Sequence, residues 1–341
     1  MLTVIASIVI FGLLIFAHEL GHFLVAKKAR IGVTEFAIGF GPRLFGWQRG
    51  ETTYSLRLFP LGGFVRLVGE NPEESELAGS FQSKPVWQRF AVIVSGPLMN
   101  FFLAVLLFSL IYFAFVGIPL YNSTAIGNVL PGGQAEATGL LPGDRLLSIA
   151  GRDVENWQQL VKAINDHPEQ EITIEFLRND VPQSMQITPR LDPETGRGLI
   201  GISPQVRLYS FLPSLRQGLS HTFWFLGFIA GNIVQMITGR VAPDVVGPVG
   251  IVQIVGEVAR TGIVNLLSLA AIISVNLGLL NILPIPALDG SRLMFLIVEA
   301  LRGRPVDPRK ESFVHFIGFT VLIFLMIVVA YRDLLRLDIL F

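Results

Sequence analysis

Apolar positions along the chain gather into four long runs, residues 1–26, 90–116, 263–283 and 313–331, separated by stretches of mixed character. About 20 predominantly apolar residues are needed for a helix to cross a bilayer, and each run predicts one span. A fifth run, 211–238, carries Arg216, Gln217, His221, Asn232 and Gln235 among its aromatics. That mixture predicts an amphipathic helix lying at the membrane interface. Between the first two spans, "TTYSLRLFPLGGFVRLVG" partly alternates apolar and polar positions around a Pro-Leu-Gly-Gly turn. It reads as a β hairpin over 52–68 that dips toward the bilayer; such backbone is tolerated there only when it is buried in protein or lines a cavity. Residues 122–205 switch to short strand-like and helix-like pieces ("AIGNVL", "NWQQLVKAIND", "EITIEFLRN") and predict a small α+β domain.

The expected architecture is thus a polytopic α-helical membrane protein with four spans, a re-entrant hairpin and one α+β domain. An N-terminal membrane core covers 1–121, the α+β domain 122–205, the interfacial helix and a connecting loop 206–260, and a C-terminal membrane core 261–341. Composition supports this: 51% of the residues are hydrophobic and only 15% charged, against about 25% charged in soluble domains. Twenty-six basic and 26 acidic residues balance to zero, which speaks against nucleic acid as a partner.

The distribution of charge sets the orientation. Lys27, Lys28, Arg30, Lys84 and Arg89 flank the loop between spans one and two. Arg292, Arg302, Arg304, Arg309 and Lys310 fill the loop between the last two, and no basic residue occurs between Arg89 and Arg145. By the positive-inside rule both loops are cytoplasmic, while the termini and the α+β domain are external. The basic residues follow the first apolar run, so it reads as a retained anchor and not as a signal peptide. "GENPEESELAGS" is a solvated acidic loop.

One cluster violates the apolar pattern of the first span: His18, Glu19 and His22 in "FAHELGH". Charged groups in a span cost about 2.5–3.5 kcal/mol each and mark function. Residues four apart share a helix face, so two imidazoles can hold one zinc while the intervening glutamate activates its water. Chance would give H-E-x-x-H about 0.003 times in a chain of this composition. The bland reading, histidines bonding neighbouring helices, does not explain an acid at that spacing.

Cysteine is absent, so a third ligand must be His, Asp or Glu. His167, His221 and His315 read as solvated or hydrogen-bonded side chains. A better source is "NLGLLNILPIPALDGSRL", where Pro284 and Pro286 break the third span before Asp289. Asp289 completes a set of three and leaves a fourth position for water; its bland alternative is a turn or cap residue before glycine. The unwound stretch would line a cavity fit for an extended substrate. About 17 residues precede His18, roughly 25 Å of helix, which puts it at a depth similar to Asp289, near the cytoplasmic side.

"HELGH" and "NILPIPALDG" resemble the site-2 protease family of intramembrane zinc metalloproteases, and "EFAIGFGP", "SLRLFPLGGFVRLVGE" and "SGPLMNF" are similar to its bacterial RseP-type branch. "GLLPGDRLLSIAGRDVENW" is similar to a PDZ domain. The resemblance implies Zn2+ on His18, His22 and Asp289, with Glu19 as general base. It implies that Asn281 helps hold unwound substrate, beside Pro284 and Pro286. The hairpin segment Phe59–Phe64, with Gly62 and Gly63, would pair with it as an added strand. It also implies a substrate class: single-span membrane proteins already trimmed by another protease, such as anti-sigma factors, or remnant signal peptides. Two departures stand out. There is room for one PDZ-like domain where well-known members have two, and "DGSRL" replaces Asp-Gly-Gly-His. Two other classes fit the sequence less well. A membrane-anchored PDZ scaffold would tolerate loss of Glu19 or of a ligand, and none is missing. A metal transporter would not call for a peptide-binding module. Expected partners are a single-span protein, membrane lipid, and peptide or protein termini at the PDZ-like domain.

Overall fold

The computed structural model describes residues 1–70, 77, 79–242 and 246–336. Two units emerge, one built from Met1–Ile111 with Leu212–Phe341 and one from Tyr112–Phe211. The first opens with α1 (Leu2–Lys28), about 40 Å of helix. Lys27 and Lys28 close its last turn, where cations suit the helix dipole. Two long strands follow, β1 (Val33–Arg49) and β2 (Thr52–Leu67), joined by a tight turn at Gly50 and Glu51.

This differs from the expected hairpin. The turn is not at Pro60–Gly63, which lies inside β2, and the sheet begins at Val33. Residues 43–49 pair with 52–57, while Phe36 stands opposite both Tyr54 and Val65. Residues 33–38 are therefore an inner segment and 63–67 an edge. The irregular alternation of "EFAIGFGPRLFGW", interrupted by Gly-Pro, hid the first strand. Most of the acidic loop, 71–76 and 78, lies outside the described residues.

Helix α2 (Val86–Ala114) carries Pro97 in its interior and leads to the second unit. There β3 (Gly117–Pro119), β4 (Ile126–Val129) and the one-turn α3 (Gln134–Ala137) precede β5 (Arg145–Ile149), β6 (Arg152–Asp153) and α4 (Trp157–Asn165). β7 (Ile172–Arg178), β8 (Val181–Ile187), β9 (Arg190–Leu191), β10 (Gly198–Leu199), β11 (Ile202–Pro204) and β12 (Val206–Leu208) follow. The main sheet has order β6-β5-β7-β8 and is antiparallel. Ile172, Ile174 and Phe176 of β7 point inward with Leu146, Ile149 and Leu160, the two-residue period of a half-buried strand. Asn179 and Asp180 both have positive φ and form the two-residue turn that twisted hairpins favour. The Asn156 side chain caps α4 on the Gln159 N–H, and Gln159 reaches back to the Glu155 N–H.

The first unit resumes with α5 (Phe211–Ile237), α6 (Pro248–Thr261), α7 (Ile263–Ile282), α8 (Asp289–Arg302) and α9 (Pro308–Arg336). Helices α1, α2, α7 and α9 are long and apolar enough to cross a membrane; α5 lies outside that set. Its Gly218 sits against the backbone of α2 at Val105 and Ser109, and Phe225 stacks on Phe108. Two helices replace expected loops: α6 within 206–260, and α8 between the last two spans. Asp333 of α9 accepts from the Gly247 and Gly250 N–H groups and so caps α6.

Candidate metal centre

His18 and His22 lie one turn apart on α1, and Asp289 opens α8. Their donor atoms converge. The two Nε2 atoms are 3.2 Å apart, and Asp289 Oδ2 lies 3.0 Å from His18 Nε2 and 3.3 Å from His22 Nε2. Ligands held at 2.0–2.1 Å around a tetrahedral zinc stand about 3.3–3.4 Å from one another. Asp289 Oδ2 is buried yet completes no hydrogen bond of normal geometry. An oxygen orphaned between two ring nitrogens at these separations fits a shared cation. Among the described residues this is the one such group of His, Asp and Glu donors.

The chain positions each donor by local means. His22 Nδ1 lies 2.8 Å from the Val92 carbonyl and donates to it, which turns Nε2 toward the centre. Metal-bound histidines are oriented in this way by their other ring nitrogen. Pro97 lacks an N–H, so the Ile93 carbonyl, next to Val92, has no backbone donor four residues on. Tight packing of α1 on α2 depends on glycine. A Cβ on Gly21 would fall 2.2 Å from the Ser95 carbonyl oxygen, and one on Gly96 only 2.3 Å from His22 Nε2. On the other side, Leu283 precedes a proline and leaves helical conformation, ending α7. The Leu288 N–H then donates to the Ile285 carbonyl across a turn with Pro286 and Ala287 at its centre. Ala287 has φ +78°, at the position where such a turn asks for glycine. That conformation costs an alanine about 1–2 kcal/mol and delivers Asp289 to the first turn of α8.

Glu19 is buried and lines a cavity of about 870 Å3 together with His18, His22, Gly63 and Asp289. The edge segment 63–67 forms part of the wall, through Gly63, Phe64, Val65 and Leu67. A Cβ on Gly63 would lie 2.9 Å from Glu19 Cγ, so only glycine lets the sheet edge come this close to the acid. Ion pairs brace the wall: Arg292 to Glu70 at 2.7 Å, and Arg89 to Glu299.

The structure thus brings together His18, Glu19, His22, Asp289 and Gly63. Gly62 packs on the Phe40 ring instead. Phe59 is 53% exposed, and neither it nor Asn281, Pro284 or Pro286 lines the cavity. The break after α7 directs Ala287, Leu288 and Asp289 inward, while Pro286 meets Gly318 of α9. His315 reaches the cavity wall without joining the donor set. His167 bonds the Ala163 carbonyl, and His221 packs on Phe108. Sequence reasoning missed Val92, Gly96 and Asn100; "SGPLMN" was visible as a string, but a carbonyl's partner or a missing Cβ's neighbour is a tertiary fact.

Known proteins are similar to this chain along most of its length. The model of peptidase family M50 matches residues 6–325. A zinc metalloprotease RasP of Geobacillus kaustophilus is 36% identical, with 97% of each chain aligned. The regulator of sigma-W protease RasP of Bacillus subtilis is 35% identical over 98% of this chain and 99% of its own. A putative zinc metalloprotease of Fusobacterium nucleatum is 34% identical over 98% and 99%. Among solved structures, the PDZ domain of an SdrC-like protein from Listeria monocytogenes is 21% identical over 26% of this chain and 93% of its own, with a TM-score of 0.22. The family match spans nearly the whole length and includes both halves of the donor set: the chain belongs to peptidase family M50.

Proposed function

We propose that this peptidase is a zinc-dependent endopeptidase that cleaves membrane-spanning segments of single-span proteins, with His18, His22 and Asp289 holding Zn2+ and Glu19 as general base. The observation that carries this reading is the convergence of the Asp289 carboxylate of α8 with two imidazoles and a buried glutamate on α1, a helix long and apolar enough to cross a membrane. A zinc ion held there would supply Lewis acidity, lowering the pKa of a bound water to about 7.

The chain's own groups do the rest. Glu19 accepts the proton of the attacking water and passes it to the amide nitrogen of the departing segment, so the C–N bond breaks without release of a free amide anion. Residues 63–67 present to the cavity a strand edge that no other strand pairs among the described residues. A substrate unwound from helix exposes main-chain groups that this edge can pair, which holds its backbone extended beside Glu19. Asn281, Pro284 and Pro286 keep their substrate-holding role through the family resemblance alone.

The setting follows the same reading. The chain resides in a bacterial inner membrane, with the Tyr112–Phe211 unit external and acting as a PDZ-like module for peptide or protein termini. The Bacillus subtilis relative is a regulator of sigma-W protease; an anti-sigma factor trimmed beforehand is the matching substrate here, with remnant signal peptides a second kind. The test is Glu19→Gln assayed on a helical model substrate in detergent. It should retain one zinc per chain and lose cleavage by at least about 100-fold. Cleavage at the wild-type rate would remove Glu19 from the mechanism, and metal-free wild-type protein that still cleaves would remove the metal.

A further inference from the structure

The two imidazoles of the centre are held differently. His22 Nδ1 faces a carbonyl, which can only accept, and this fixes the tautomer with a bare Nε2. His18 Nδ1 faces a side-chain amide: Asn100 Nδ2 lies 3.3 Å away. Asn100 is fully buried, one turn after Gly96, and its backbone carbonyl accepts from the Ser274 hydroxyl of α7. Its side-chain Oδ1 is buried with no partner among the described residues.

With Nε2 turned to a metal, the neutral His18 ring carries its proton on Nδ1, and that N–H cannot bond the Nδ2 donor that faces it at 3.3 Å. Half a turn about the last side-chain bond exchanges Oδ1 and Nδ2. Oδ1 then points to His18 Nδ1, and the pairing of His18 matches that of His22. We propose that Asn100 is a positioning residue for His18: its Oδ1 accepts the Nδ1 proton and so keeps the lone pair of Nε2 turned to the metal. This rests on the reading of His18 as a ligand. The helix bearing Asn100 also carries the Val92 carbonyl and Gly96, so α2 would set the tautomer and the packing of both histidines from one face. Val92 needs no particular side chain for this; Asn100 does.

The acceptor role separates two substitutions of similar size. Asn100→Asp offers only acceptor oxygens and keeps the bond to Nδ1–H, whereas Asn100→Leu fills the space and offers none. Loss of a bond that orients a metal ligand costs about 10–100-fold in metal affinity. Zinc affinity of the full chain in detergent is measured by competition with a chromophoric chelator, with size exclusion and circular dichroism reporting the fold. Expected is a 10–100-fold weaker Kd for Asn100→Leu, with Asn100→Asp within a few-fold of wild type or tighter. Wild-type affinity in Asn100→Leu would overturn the proposal, as would an Asn100→Asp that is folded but as weak as Asn100→Leu. If Asn100→Leu fails to fold, Asn100→Asp alone decides it: an acceptor-only side chain that loses zinc cannot be reconciled with the role. His18→Ala is the control. Undiminished zinc binding there would remove the ligand assignment itself, an outcome separate from failure at Asn100.

Discussion

Gly96 is the residue whose side chain matters by its absence. The Cβ of an alanine would stand 2.3 Å from His22 Nε2 and 3.0 Å from His18 Cε1, well inside contact distance. One of the rings must then leave its rotamer, or α2 must move from α1, a strain of about 1–3 kcal/mol in a packed interior. Gly96→Ala should bind zinc substoichiometrically after dialysis and lose most cleavage while remaining helical. Full zinc content in that variant would show that the helices have slack the structure does not display. The legibility of the site divides along this line. His18, Glu19 and His22 could be read because helix periodicity fixes their relation locally, and Asp289 because Pro284 and Pro286 announce a break before it. Gly96, Asn100 and the Val92 carbonyl act across a helix–helix contact, and nothing in the spacing of "SGPLMN" says which residues of α1 it meets.

At the scale of elements, α8 is the piece that pattern reading lost. It is short, lies between two spans, and its basic residues make the stretch read as a loop. Its signals were present all the same: Asp289 in the first turn, Arg302 in the last, and Gly303 beyond in left-handed conformation. Two ion pairs tie it to the rest of the cavity wall, and they differ in depth. Arg89 and Glu299 are each 13% exposed in their side chains, while Arg292 and Glu70 are 40% and 32% exposed. Exposed pairs are worth about 0–1 kcal/mol; removing one partner of a buried pair strands a charge and costs about 3–5 kcal/mol. Glu299→Gln should therefore lower the thermal midpoint in detergent clearly more than Glu70→Gln. Equal midpoints would mean that water reaches Arg89 more freely than its burial indicates. The β1–β2 sheet was half legible: the second strand alternates, but the first is broken by Gly39, Gly41 and Pro42, and only the tertiary pairing of Phe36 with two neighbours makes it a strand.

For the molecule as a whole, the two units have different chemistry and should respond differently to acid. In the Tyr112–Phe211 unit, burial pushes the Asp144 carboxyl up, but the Arg178 guanidinium and the Leu141 N–H outweigh it and hold the group below its ordinary value. The guanidinium approaches through Nε and Nη2 at 2.8 and 2.6 Å, and Nη2 also donates to the Gly139 carbonyl. A depressed folded value stabilises the unit fully above the unfolded value of about 3.9 and ceases to do so as pH falls through the folded one. Asp144→Asn should thus be less stable than wild type at pH 6, with the gap closing below about pH 4. Hydrogen exchange of β5 and β7 in the full chain reads it; a gap independent of pH would point to packing instead of charge.

If substrate pairs along residues 63–67 as proposed, that edge bears on which proteins the enzyme accepts. A guest paired along a strand turns successive side chains to opposite faces, with a two-residue period. Every second position of the cleaved segment would then meet the wall of α1 and α8, and the positions between would face away from it. Preference should come in a skipping rhythm, strict at one residue and lax at the next, so that unrelated membrane segments qualify if their small or bulky residues keep the beat.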